Sequence, residues 1–226
     1  MTVKKGGRRK TEMTRAETGK PAEESNRRAE LIRSAGRLFR EQGYDATTIR
    51  DIAAAVGMRS GSPFYHFKSK QEILKAVVLE GLMSALTGMA AVTREKRGPR
   101  ETFRALIRAH LDTILEHGGD FVPVLLYEWR SLSEESRAEI VTLKNRYEAV
   151  WQKTLKDLKR AGLIRTDTKL SRLLIFGALN WTAQWYRPDG ALSIDDIAAQ
   201  AAELFLCPGK LGARPTASRP ARSAAN

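Results

Sequence analysis

From about Ser25 to Cys207 the apolar residues recur at intervals of three and four, and no alternating stretch of useful length interrupts them. In "SNRRAELIRSAGRLFREQG", Leu31, Ile32, Ala35, Leu38 and Phe39 share one helical face, and Gly43 follows where the helix should stop. Thr48 is placed to cap a short helix, "IRDIAAAVG", with Asp51 completing a capping box and Gly57 ending it. Ser69 caps a long helix that Pro99 stops. "RETFRALIRAHLDTILEHGG" is the next amphipathic helix. Phe121 to about Arg130 is short and apolar, with Pro123 in its first turn. Ser133 and Ser136 open the longest helix, which runs to Gly162. Asp167 to Arg187 follows, closed by Pro188, and Ser193 to Leu206 is the last. The pattern predicts about nine helices and an all-α fold.

Composition adds a candidate partner to this picture. A chain of 226 residues, 42% hydrophobic, has a core sufficient for one domain or two small ones. Its net charge of +13 suits either a polyanionic partner or a basic protein that is merely soluble, and composition alone does not choose between them. Residues 1–28 hold nine cations against four acids, and the stretch after Cys207 holds four cations and no acid, so the excess lies mostly at the ends. Residues 1–24 and 208–226 lack apolar periodicity and are expected to be disordered. The lone Cys207 excludes an intrachain disulfide and fits a reducing cytoplasm. No apolar run approaches the roughly 18 residues of a membrane span, and the basic N-terminus lacks the apolar segment of a signal peptide. The expectation is a soluble cytoplasmic protein with no membrane partner.

Three short helices are expected between residues 25 and 67, the second and third separated by "GMRSGS". That is helix-turn-helix spacing, in which one helix braces and the other enters the major groove. Ala53 and Gly57 are small where two helices approach, while Ile49, Ile52, Val56, Met58 and Phe64 can seal the pair; Phe64 and Phe67 are expected in the core. Pro63 fits if Ser60 caps the third helix, because first-turn amides have no intrahelical acceptor.

The segment "TTIRDIAAAVGMRSGSPFYHFKSKQEIL" resembles the DNA-binding signature of the TetR (tetracycline-repressor) family of bacterial transcription regulators. The likeness covers roughly Arg27 to Leu74 and departs at Pro63, where the family more often has an apolar residue such as Leu. It implies a DNA-binding domain at 25–70 and a larger helical ligand-binding and dimerisation domain at 71–207. Thr48 would contact a phosphate, and Arg50 a base edge or phosphate. Arg59, Ser60 and Ser62 would face the groove. Tyr65 and His66 would touch phosphate, sugar or a thymine methyl, and Lys70 a phosphate. The implied partners are a double-stranded palindromic operator, a small-molecule effector and a second copy of the chain.

For the dimer surface, Leu173, Leu174, Gly177, Ala178 and Trp181 run at helical spacing, and Ile194, Ile197, Ala201, Leu204 and Phe205 give the last helix a matching face. The effector pocket is sought among polar and aromatic residues in apolar helices: His110, Tyr127, Trp129, Trp151, Asn180, Trp181, Gln184, Trp185 and Arg187. "ALNWTAQWYRPDG" is similar to family members that sense acyl-CoA thioesters, which suggests an amphipathic effector; a flat hydrophobic drug or a free fatty acid would account for the same residues. Two other function classes remain open. The basic tails alone would suit a nonspecific nucleoid-type DNA binder. A helical enzyme acting on acyl-CoA is disfavoured by the chemistry, since His110 and His117 lack the i, i+4 spacing of a helical metal site. No glycine-rich phosphate loop, nucleophile–base arrangement or cofactor motif is present.

Overall fold

The computed structural model describes residues 19–59, 61, 63–116 and 120–207. Among them lie nine α-helices: α1 (Gly19–Gln42), α2 (Ile49–Ala55), α3 (Pro63–His66), α4 (Lys70–Arg94), α5 (Pro99–Leu115), α6 (Phe121–Tyr127), α7 (Glu134–Arg160), α8 (Thr168–Trp185) and α9 (Ile194–Phe205), with a 3-10 turn at Trp129–Ser131. Side-chain caps set many of the starts. The Thr48 hydroxyl accepts from the Asp51 N–H at 3.2 Å, and the Asp51 carboxylate accepts from the Thr48 N–H at 2.8 Å. Ser193 and Asp196 repeat this reciprocal box at α9. Asp167 accepts from the Lys169 and Leu170 amides at 2.9 Å each. The two expected boundaries at Gly43 and Gly57 hold because both adopt positive φ, 85° and 65°.

Two starts differ from expectation. α1 begins at Gly19 and so includes residues 19–24 of the stretch expected to be disordered. α3 begins at Pro63, two residues later than a cap at Ser60 would place it; Ser60 itself lies outside the described residues. Proline is favoured at the first helical position, because its ring presets φ and its missing N–H is not needed there.

The chain divides into two compact units, Met1–Leu86 with Thr113–Arg146, and Thr87–Asp112 with Tyr147–Asn226. The core of the first includes Leu31, Ala35, Phe39, Ile52, Ile73 and Leu74; that of the second includes Phe103, Leu106, Ile107, Trp151, Leu155 and Leu158. α4 is, by length and composition, apolar enough to cross a bilayer, which corrects the expectation that no run is. Its apolar face is nonetheless core, with Ile73, Leu74, Val78, Leu82 and Met89 buried.

Within the first unit α4 meets α6 at a position only glycine fills. A Cβ on Gly81 would lie 2.0 Å from the Phe121 ring carbon Cγ and 2.5 Å from its Cβ. Phe121 is buried and cannot swing aside. Gly81→Ala is therefore expected to lower stability by about 1–3 kcal/mol, read as a fall in the urea midpoint at constant slope. An unchanged midpoint would mean that α6 slides freely.

Candidate nucleic-acid interface and effector site

The candidate DNA-facing edge of the first unit is built by short elements around α1. Ile52 and Ala53 of α2 are buried, which leaves Thr48 and Arg50 exposed. Arg59 is exposed in the turn before α3; Ser60 and Ser62 lie outside the described residues. α3 is a single turn. Its Pro63 is buried, the Phe67 N–H bonds the Pro63 carbonyl at 2.9 Å, and Phe67 anchors below it at 4% exposure. Tyr65 is 75% exposed, edge-on to half-buried His66 at 5.2 Å, and its hydroxyl donates to Glu24 of α1 at 3.2 Å.

One expectation changes here. Phe64, expected in the core, is 55% exposed. The helix is too short to bury it, and Phe67 holds the core position. Phe64 thus joins Tyr65 as an aromatic on the presented face. The Lys70 ammonium donates to the carbonyls of Tyr44 at 2.8 Å and Thr47 at 2.9 Å, and sits 4.1 Å from the centre of the Tyr44 ring. It ties the α1–α2 turn to the start of α4.

A polar knot that sequence reasoning missed backs this turn. The Glu128 carboxylate accepts from the Tyr44 N–H at 3.0 Å and from the Ser131 hydroxyl at 2.9 Å. Gln71 donates to the Tyr44 hydroxyl at 3.0 Å and to the Ser131 carbonyl. A cleft of about 730 Å³ in the same unit is lined by α1, α4, Asp120 and Phe121. Burial raises the Asp120 pKa, opposed by Arg40, which pairs with it at 2.7 Å. None of the expected effector residues lines that cleft.

The effector candidates are divided between the two units. Tyr127, exposed, and Trp129, half-buried, belong to the first unit. His110, Trp151 and Asn180 come together in the second, joined by Tyr147 and Phe176, which were not foreseen. Phe176 stacks on the His110 ring at 5.4 Å, and Trp151 meets it edge-on at 5.6 Å. Nε2 of His110 faces Asn180 Oδ1 at 3.1 Å, so the ring carries its proton there and accepts the Tyr147 hydroxyl at Nδ1. Burial depresses the His110 pKa to about 4, against a weaker opposing effect of Asn180. Burial also raises that of Tyr147. Beside this cluster Arg172, only 8% exposed, pairs with Glu148 and lies 5.8 Å from the Phe176 ring centre. Its Nε is buried with no acceptor among the described residues. An arginine inside the apolar run "SRLLIFGAL" was the available signal for it.

The remaining candidates face outward. Trp181, 62% exposed, and Trp185, Gln184 and Arg187 are exposed. With Leu170, Leu173, Leu174, Gly177 and Ala178, residues Trp181, Gln184 and Trp185 make a continuous outward stripe on α8, and Arg187 follows its end. α9 contributes less than expected to such a surface. Ile194 and Ile197 are buried within the unit, and Leu204 is the large side chain left open, at 80%.

Residues 31–77 match the model of bacterial regulatory proteins of the tetR family, and residues 96–207 match a tetracyclin repressor-like C-terminal domain. The HTH-type transcriptional repressor KstR2 of Rhodococcus jostii is 31% identical across 80% of this chain and 90% of its own. Among solved structures, the superantigen PfiT is 43% identical, with a TM-score of 0.66 over 79% of this chain and 95% of that one. AibR in complex with isovaleryl coenzyme A and operator DNA is 26% identical, with a TM-score of 0.73 over 81% and 100%. With its capped helix-turn-helix and its helical second unit, the chain belongs to the TetR family of bacterial regulatory proteins.

Proposed function

We propose that the protein is a cytoplasmic, homodimeric transcriptional repressor released by an amphipathic effector of the acyl-CoA class. The observation that carries this reading is the boxed α2 followed by a one-turn α3 that presents Phe64 and Tyr65. Arg50 and Arg59 supply donors for guanine or phosphate, Thr48 a hydroxyl for phosphate, and Phe64 an apolar surface for a thymine methyl. His66, half-buried, positions Tyr65. Ser60 and Ser62 remain candidates for the groove. The outward stripe on α8 supports a twofold dimer, which would place two α3 helices in successive major grooves.

The effector reading rests on His110, Asn180 and Arg172. A neutral imidazole, an amide and a guanidinium with an unused donor suit a thioester carbonyl or carboxylate, while Trp151, Tyr147 and Phe176 suit an acyl chain. AibR, which was solved with isovaleryl coenzyme A and operator DNA, supports the ligand class. Trp181, Gln184, Trp185 and Arg187 fall to the dimer surface in this reading, and Tyr127 and Trp129 to the support of the α1–α2 turn.

Selection of genomic fragments followed by mobility shift tests the proposal. A specific palindrome is expected, with Arg50→Ala and Tyr65→Ala each weakening binding roughly tenfold to a hundredfold. Phe64→Ala should relax preference at a thymine with little change in salt dependence. Equal affinity for all sequences, before and after these substitutions, would sink the reading.

A further inference from the structure

The chain's positive charge has a second concentration inside the folded part. Segments 94–100 and 153–169 together carry ten cations against three acids, whereas the rest of residues 29–207 carries sixteen cations against nineteen acids. These two segments meet at one end of the second unit. A cleft of about 460 Å³ is lined by Lys96 and Arg97 on one side and Lys153 and Asp157 on the other. A neighbouring cleft of about 410 Å³ is lined by Lys156, Lys159, Arg160 and Thr168.

Every acid in the two segments is already engaged. Glu95 pairs with Arg97, Asp157 with Lys153 and Arg160, and the Asp167 carboxylate caps α8. Arg100 is held by Glu203 of α9. Six exposed cations, Arg94, Lys96, Lys156, Lys159, Arg165 and Lys169, are left with no acid in ion-pairing range among the described residues. Cys207 bonds through its N–H to the Leu163 carbonyl at 2.8 Å, and four more cations and no acid follow Cys207 in the sequence.

Gathering cations in excess of acids along these two segments, with Asp167 the acid that acts on Lys159 and Lys169, destabilises the fold slightly and creates a strong local potential. Such an arrangement suits a polyanion that supplies the counter-charge. We infer that this end of the second unit binds the phosphodiester backbone of a second DNA segment, without reading its sequence. The choice of DNA rests on the reading of the chain as a DNA-binding regulator. The surface itself disfavours a lipid bilayer, because none of the large hydrophobic side chains exposed in the second unit belongs to these segments. Backbone binding of this kind releases counter-ions and weakens steeply with salt.

The test uses the full chain with the helix-turn-helix disabled by Arg50→Ala and Tyr65→Ala, so that the patch is scored whether or not α3 binds an operator. Labelled duplex of unrelated sequence is titrated at about 100 mM salt. Adding Lys156→Glu, Lys159→Glu and Lys169→Glu should weaken binding at least tenfold and flatten its salt dependence, with the helical circular-dichroism signal unchanged. In the otherwise native chain, the same three substitutions should leave operator affinity within about twofold. Duplex binding that survives charge reversal would assign it to the terminal segments and overturn the inference. So would no binding before reversal, or capture of phosphatidylglycerol vesicles in preference to duplex. Absence of any operator would count against the repressor reading instead.

Discussion

Truncating Trp151 to alanine is expected to lower stability by about 3–5 kcal/mol. The side chain is fully buried at the crossing of α5, α7 and α8, edge-on to Phe103 at 6.2 Å, His110 at 5.6 Å and Phe176 at 5.4 Å. Removing it deletes the shared partner of three rings, and close packing around them prevents full collapse of the cavity. A fall in the melting temperature of very roughly 6–20 °C follows for a chain of this size, at fixed protein concentration because dimerisation couples to unfolding. Trp151→Phe, which keeps a ring against Phe176, should recover much of the loss. If the Ala variant lost less than about 1 kcal/mol, Trp151 would not be the packing centre of the three rings.

The outcome at Trp151 also bears on what the sequence could reveal. Local chemistry was legible. Thr48 with Asp51 is the capping box expected at α2, and Asp167 and Ser193, at the expected starts of the last two helices, cap α8 and α9 through residues within three positions. Placement of long side chains was not. Lys70 has the reach to fold back on the carbonyls of Tyr44 and Thr47 or to extend to a phosphate, and spacing does not choose between them. Phe64 reads as core by hydrophobicity, but α3 ends at His66, so Phe67 leaves the helix and takes the buried position. The cluster around His110 is non-local: Tyr147 and Asn180 lie 37 and 70 residues along the chain. Its aromatic members were visible singly, but their assembly depends on how α5, α7 and α8 pack. The outward face of α8 was legible because Leu173, Leu174 and Trp181 repeat at helical spacing. That of α9 was not, because Ile194 and Ile197 satisfy the same spacing from inside.

His110 makes the second large effect a pH dependence. In the unfolded chain its imidazole titrates near 6.5, whereas in the folded protein burial depresses it to about 4. Between these values the unfolded state holds a proton that the folded state excludes, so stability must fall as pH falls. The contribution is fully present above about pH 6.5 and is lost progressively as pH drops towards 4. At about 1.4 kcal/mol per pH unit the loss reaches about 3 kcal/mol, as an order of magnitude. The geometry opposes any easier route. Protonation at Nδ1 would turn the acceptor of the Tyr147 hydroxyl into a donor, and the charge would sit buried between the stacked Phe176 and the edge-on Trp151, away from bulk solvent. Urea unfolding of the native chain and of His110→Gln from pH 7 to pH 4 checks this. The variant starts less stable, since Gln cannot reproduce both bonds, but its acid limb should be flatter and the two curves should converge. Parallel curves would mean that His110 gains its proton without penalty and that the cluster is open to solvent.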